Sequence, residues 1–218
     1  MPDSISHTIK KISEAEISDT HKVLHTPAVA AKLKQMTVGI AGLGGLGSNA
    51  AVSLARAGIG KLVLIDFDKV ELSNLNRQAY FLEHVGMYKT DAIADIIRRI
   101  NPFISVELKR ATITEENCMK LFKNVSLVIE AVDTAETKEM IIEAILTESE
   151  TIPVIAGSGI AGYGKNSIIT ESVIGRLRIM GDDISEVAPG VPLMAPRVGI
   201  VANMQANAAL EILLGEWK

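Results

Sequence analysis

The chain has 218 residues, 48% hydrophobic and 22% charged, with a formal net charge of −4 and only 4% aromatic residues. That length suits one domain with a full core, and the scarcity of aromatics predicts an aliphatic interior like that of buried parallel strands. The negative balance argues against a general nucleic-acid or membrane-surface binder, because no excess of cations is available to meet phosphates.

Residues 1–36 are polar and helix-compatible, with apolar positions too scattered for a core of their own, and are predicted as an N-terminal helical segment. The opening MPDSISHTIKKISEAEI lacks the apolar stretch of a secretory signal, so a cytoplasmic protein is expected. From Thr37 onward, β-rich runs alternate with helical stretches, and residues 37–218 are predicted as a single domain. The predicted strands are Thr37–Ala41, Lys61–Asp66, Ser105–Leu108, Leu127–Val132 and Ile152–Ala156. The predicted helices are Ser48–Arg56, Lys89–Ile100, Thr114–Phe122 and Ala135–Thr147, with Asn101-Pro102 stopping the second. This order predicts an α/β fold, a mainly parallel sheet flanked by helices. Asn166–Thr170 could begin an antiparallel C-terminal extension. Gly175–Pro196, with three prolines and three glycines, reads as a long and partly mobile loop, and Val198–Leu214 as a closing helix ended by Gly215. The most apolar runs are cut by Gly, Asp, Arg or Lys, so no membrane span is expected.

The segment Gly42-Leu43-Gly44-Gly45-Leu46-Gly47 follows a predicted strand and opens a helix. Glycines there let the backbone turn tightly and approach phosphate oxygens, which the N–H groups of the helix start then face. Asp66 ends the next strand, where a carboxylate accepts from ribose hydroxyls. Together they predict a Rossmann-like nucleotide site, the motif leaving the nucleotide open. After Asp66 the chain does not enter its next helix but inserts FDKVELSNLNRQAYF, with Asp68, Asn74, Asn76, Arg77 and Gln78, and Lys89 follows at a helix start. Asp133 closes the strand-like run LVIEAV on the same sheet edge. Two cations, a ribose-type acid and a strand-end acid suit a triphosphate with Mg²⁺ better than a nicotinamide cofactor. Singly, each residue has a plainer reading. Arg77 and Lys89 fit solvated surface charges, Asp133 a helix cap, Asp68 a turn residue or supporting acid, and Asn76 and Gln78 side chains that hold a loop.

GxGGLGS, then LxDxDxVxxSNLNRQ, a lysine and a strand-end aspartate make the chain resemble the ThiF/MoeB family, relatives of the adenylation domains of ubiquitin-activating enzymes. The resemblance runs from Thr37 to Thr134 and resumes in Ala195-Pro196-Arg197-Val198-Gly199. Its compact length and ANMQANAALEILLG tail look most like the ThiF-type members of thiamine biosynthesis. The resemblance implies an adenylation domain in which Gly42, Gly44, Gly45 and Gly47 cradle ATP and Asp66 holds its ribose. Asn74, Arg77 and Lys89 match phosphate-holding positions, with Asp68 and Gln78 beside them, and Asp133 matches the position that organises Mg²⁺. The implied partner is a small ubiquitin-like sulfur-carrier protein whose C-terminal carboxylate is adenylated, and the implied assembly is a homodimer. Other carboxylates, on a molybdopterin-synthase carrier or linked to tRNA, are alternatives, as are a nicotinamide-dependent oxidoreductase and a non-catalytic scaffold.

The chain departs from the family in three respects. Cys118 is its one cysteine, so the two CxxC pairs that bind structural zinc in many relatives are missing and no zinc is expected. The Gly175–Pro196 stretch lacks the cysteine some relatives use for thioester or persulfide chemistry, and Cys118 reads as a structural thiol. No arginine precedes Gly42, so Lys10, Lys11 or no residue takes the place of the N-terminal arginine that relatives supply in trans. His7, His21, His25 and His84 show no metal spacing, and the first three are expected to be exposed.

Overall fold

The computed structural model describes residues 11–215, so the expectations placed on His7 and Lys10 lie outside the described residues. Two helices come first. In α1 (Glu14–His25), Ser13 Oγ accepts the Glu16 N–H at 3.2 Å and Glu16 Oε2 accepts the Ser13 N–H at 2.9 Å, a reciprocal cap that starts the helix. In α2 (Pro27–Gln35), proline stands in the first turn, where its missing N–H costs nothing. Leu33 of α2 is fully buried and carries this segment into the main core.

The strands are β1 (Thr37–Ala41), β2 (Lys61–Ile65), β3 (Ser105–Lys109), β4 (Leu127–Glu130), β5 (Val154–Ser158), β6 (Thr170–Ile174) and β7 (Leu177–Gly181). The remaining helices are α3 (Gly45–Ala57), α4 (Lys89–Ile100), α5 (Glu115–Leu121), α6 (Ala135–Glu148) and α7 (Ala195–Leu214). One seven-stranded sheet has the order β3-β2-β1-β4-β5-β7-β6, parallel throughout except for the antiparallel β6–β7 pair at its edge. The predicted α/β class and the antiparallel extension both match this sheet.

Strands covered on both faces are apolar at successive positions rather than at alternate ones. Val38, Ile40, Leu62, Leu64, Leu127 and Ile129 face the layer of α3, α4 and α7, while Ala41, Val63, Ile65 and Val128 face α5 and α6. Ile93, Ile96, Ile97 and Ile100 recur at helical spacing on α4 and put one stripe into the first layer. Each such fully buried side chain contributes about 1.5–3 kcal/mol.

The helices and central strands lie within a few residues of their predicted ranges, and three differences matter. The helix predicted from Ser48 starts at Gly45, so the last glycines of the turn are already helical. The strand predicted to reach Val132 ends at Glu130 and leaves Asp133 in the following turn. Gly175–Pro196 is not one loop, because β7 lies inside it and pairs with both β5 and β6. Gly175 (φ +59°) and Arg176 form the two-residue connection of the β6–β7 hairpin, a place where left-handed backbone is needed.

Candidate functional site

The strand order turns back at β1, whose neighbours are β2 on one side and β4 on the other. Ligands of open α/β sheets bind outside the carboxyl ends of the strands at such a point. There Ala41 stands in register with both Ile65 and Glu130. Gly42 follows with φ +83°, and a β-carbon on it would lie 2.8 Å from the Ala131 carbonyl oxygen, so the turn after β1 presses against the turn that leads to Asp133. At Gly47 a β-carbon would overlap the Gly42 carbonyl oxygen, which explains the glycine at the start of α3. Gly44 differs, since its added β-carbon would meet nothing closer than 3.9 Å, the Gln78 amide nitrogen. One face of the turn is therefore open, and the first N–H groups of α3, which have no intrahelical acceptor, lie at that turn.

Asp66 is buried and ties this turn together. Its Oδ2 accepts the Leu43 N–H at 2.7 Å and its Oδ1 accepts the Asp68 N–H at 2.8 Å. Burial raises its pKa, against the opposing pull of Lys89. A carboxylate has acceptor capacity beyond two such bonds, so ribose hydroxyls remain chemically compatible with Asp66.

The inserted loop, residues 67–88, is closed at its neck. Lys69 bridges Tyr88, Val70 N–H donates to Met87 O, Gly86 N–H to Val70 O, and Lys89 N–H to Asp68 O, all three at 2.8–2.9 Å. That neck pairs Lys89 Nζ with Asp68 Oδ2 at 2.7 Å, 21 residues apart in sequence, with Asp66 Oδ2 at 4.0 Å. Lys89 is buried, so the plain reading as a solvated surface charge fails, and Asp68 acts as its supporting acid. The body of the loop docks on the glycine turn. Tyr80 Oη donates to Leu43 O at 2.7 Å, Ala79 N–H to Ser48 Oγ at 3.1 Å, and Asn49 Nδ2 to both Gly45 O and Arg77 O. Arg77 is half-buried, with its stem beside Gly45 and its Nη1 donating to Asn76 Oδ1 at 2.9 Å. Gln78 is buried, and its amide oxygen has no hydrogen-bond partner among the described residues. Asn74 is a loop builder in this state, since its Oδ1 accepts the Glu71 N–H and its backbone carbonyl accepts from Arg77 and Gln78.

The fold thus brings Gly42–Gly47, Asp66, Asp68, Arg77, Gln78 and Lys89 into one bonded network. Asp133 stands apart on the same edge. It is exposed, and among the described residues it has no hydrogen-bond or ion-pair partner. Three buried features were not foreseen. Glu130, in the middle of an apolar run, accepts the Val132 N–H at 2.7 Å and pairs with Lys138 of α6, so it shapes the turn leading to Asp133. Burial raises its pKa against the opposing Lys138 charge. Arg197, in the first turn of α7, pairs with Asp182. His84 is also buried. Its Nδ1 accepts the Phe81 N–H at 3.0 Å, and its Nε2 lies 3.5 Å from an Asp95 carboxylate oxygen but has no hydrogen-bond partner among the described residues. An acid inside LVIEAV and a guanidinium inside APRVGI were the sequence signals for the first two.

A cavity of about 640 Å³ lies at the opposite, amino edge, among α1 and the ends of α3 and α4, with His21, Asp19, Arg56 and Asn101 on its walls. None of the glycine turn, the inserted loop or Asp133 reaches it. The reversal of strand order and the open helix start argue for the carboxyl edge as the nucleotide site.

The ThiF family model matches residues 19–218. The chain is 34% identical over 188 residues to a molybdopterin-synthase adenylyltransferase of Salmonella typhimurium, spanning 83% of this chain and 74% of that protein. It is 33% identical over 193 residues to the protein of the same name in Escherichia coli, spanning 85% and 76%. Among solved structures, E. coli tRNA N6-threonylcarbamoyladenosine dehydratase, TcdA, in complex with AMP aligns with a TM-score of 0.83 at 23% identity, over 94% of this chain and 97% of that one. The same enzyme has also been solved in complex with ATP. At that identity the likeness speaks for the fold.

Proposed function

This chain belongs to the ThiF family, and from that premise we propose that it uses ATP to adenylate the C-terminal carboxylate of a small ubiquitin-like sulfur-carrier protein, releasing pyrophosphate. The observation that supports this most is the inserted loop, which sets Arg77 beside Gly45 and buries Lys89 next to Asp66 at the carboxyl edge.

The residues present fit a triphosphate. The Gly44 face is open, and the Gln78 amide nitrogen, a donor of the kind phosphate oxygens accept from, is the nearest side-chain atom to it, 3.9 Å from where a β-carbon would stand. Asp133 is an exposed carboxylate without a partner among the described residues, a hard oxygen donor of the kind Mg²⁺ takes. On this reading Gly42, Gly44, Gly45 and Gly47 receive the phosphates, Asp66 takes the ribose, and Arg77 and Lys89 offset phosphate charge, with Asn74, Asp68 and Gln78 holding these groups in place. Asp133 would hold Mg²⁺, which would supply charge neutralisation for the leaving pyrophosphate. A carboxylate approaching a polyanion is repelled, and preorganised cations in a water-poor cleft are the means of offsetting that. No side-chain nucleophile is needed, because the carrier's own carboxylate attacks the α-phosphorus and the bond to pyrophosphate breaks. The protein's contribution is to place and orient the two reactants.

The finer parts of the reading are that the carrier serves thiazole formation for thiamine, that the enzyme is a cytoplasmic homodimer, and that residues 37–218 form the adenylation domain. A molybdopterin-type carrier is the second reading, favoured by the names of the relatives at 33–34% identity. The test is ATP–pyrophosphate exchange with purified carriers of both kinds. Exchange that depends on a carrier and disappears in Asp133→Ala supports the reading, and the preferred carrier decides the branch. Exchange that survives Asp133→Ala removes the metal role.

A further inference from the structure

Arg197 is only 3% exposed, although it sits in the first turn of α7 within an apolar stretch. Its Nη2 pairs with Asp182, the residue after β7, and its Nη1 donates to Gly164 O at 2.7 Å. Three segments therefore meet at one guanidinium: the start of α7, the loop after β5, and the exit from β7. The surroundings are shaped to the carboxylate. Asp182 Oδ1 accepts the N–H groups of Ser185 at 2.8 Å and Ile184 at 3.1 Å, and a β-carbon on Gly159 would overlap that same oxygen. Asp183 turns the chain there with left-handed backbone, φ +59°.

From this point residues 183–193 run back to α7, with Ile184 and Val187 exposed. The far end is tied to the site. Leu193 O accepts from Asn76 Nδ2 at 3.0 Å, and Pro192 O accepts the Gly162 N–H at 2.8 Å. The other end of the Asn76 amide accepts from Arg77 Nη1. The segment is thus fixed at one end by a buried ion pair and at the other by a side chain that also orients Arg77. A buried ion pair is seldom the most stabilising choice for its volume, and this one leaves the Arg197 Nε buried without a hydrogen-bond partner among the described residues. Retaining it is better explained by geometry than by stability.

We infer that Arg197 and Asp182 form a latch that holds residues 183–193 beside the glycine turn, so that both are positioning residues for the incoming carboxylate-bearing tail without touching it. The inference rests on the carrier-adenylation reading. It is tested with Asp182→Asn, Arg197→Met and the double variant, each compared with the wild-type protein. ATP affinity is measured by calorimetry, kcat and carrier KM by pyrophosphate exchange with a Gly-Gly-ended carrier, and segment order by amide hydrogen exchange over residues 184–191.

The single variants are expected to keep ATP affinity within about twofold, raise carrier KM about tenfold with kcat little changed, and speed amide exchange in the segment. The double variant, with neither charge left unpaired, regains the wild-type melting temperature but keeps the raised KM. Restoration of carrier KM together with stability in the double variant would show a merely structural pair and overturn the latch, as would unchanged segment exchange in the single variants. Should the wild-type protein give no carrier-dependent pyrophosphate exchange, the functional reading fails on its own. The amide measurement on the free protein still decides whether the pair holds the segment.

Discussion

Two glycines of the same turn should respond to alanine in opposite ways. Gly42 has φ +83°, and its added β-carbon would sit 2.8 Å from the Ala131 carbonyl oxygen, which is strand-end backbone bonded to Ala41 and cannot swing away. Left-handed backbone costs a residue with a β-carbon about 1–2 kcal/mol, and the overpacking costs about 1–3 kcal/mol more. Gly42→Ala is therefore expected to lose about 2–5 kcal/mol. In a chain of this length that lowers Tm by about 5–15 °C. At Gly44 the nearest atom to the new methyl is 3.9 Å away, an ordinary contact, so the stability change should stay within about 0.5 kcal/mol. The methyl then occupies the open face proposed for the phosphates, and ATP affinity should fall at least about tenfold, or roughly 1.4 kcal/mol. Thermal unfolding by circular dichroism and ATP titration calorimetry separate the two effects. A Gly44→Ala protein that folds normally and binds ATP like the wild type would refute the placement of the nucleotide. An unshifted Tm for Gly42→Ala would refute the packing argument.

Lys89→Met leaves buried Asp66 and its neighbour Asp68 facing an apolar side chain, so it should cost about 3 kcal/mol in urea unfolding and slow exchange by about 100-fold; wild-type stability in that variant would show that the pair does nothing for the fold. Burial, with the Glu148 charge adding to it, pushes the Cys118 thiol up to about 11 from an ordinary value near 9. Native protein should thus resist iodoacetamide at pH 8, and the stability this thiol contributes, complete below pH 9, should be lost as pH rises toward 11. Cys118→Ala should retain exchange activity, and a carrier thioester on Cys118 would contradict the structural role. Burial alone raises Asp182, but N–H donation from Ser185 and Ile184 and the Arg197 charge bring it below its ordinary 3.8. Its contribution is then complete above pH 3.8 and lost as pH falls through the lower folded value, so the Tm gap between wild type and Asp182→Asn should close in acid. A gap that does not shrink as pH falls below 3.8 would show that the carboxylate charge is not what the pair supplies.

What the sequence revealed follows from how local each signal was. The apolar runs from Thr37 to Ala156 and the isoleucines of α4 carry their own periodicity, and they fold where they read. β7 was hidden because LRIMG is only five residues long and lies in a stretch dominated by proline and glycine. Its clue was the Gly175-Arg176 pair between two β-rich runs, a hairpin signal. The roles of Lys89 and Asp68 could be suspected from their motif but not their mutual distance, which depends on the neck closed by Lys69 and Tyr88. Glu130 and Arg197 are harder still. Each is a charge among apolar neighbours, and only the fold supplies the partner, Lys138 eight residues on or Asp182 across a turn.

In the proposed reaction two negatively charged reactants meet at the carboxyl edge of β1, β2 and β4. Intact-mass spectrometry of a Gly-Gly-ended carrier incubated with this protein, ATP and Mg²⁺ tests it most directly. The predicted product is carrier that has gained one adenylyl group on its terminal carboxylate, absent with Arg77→Ala. Carrier of unchanged mass, after incubation with protein that demonstrably binds both ATP and carrier, would contradict it.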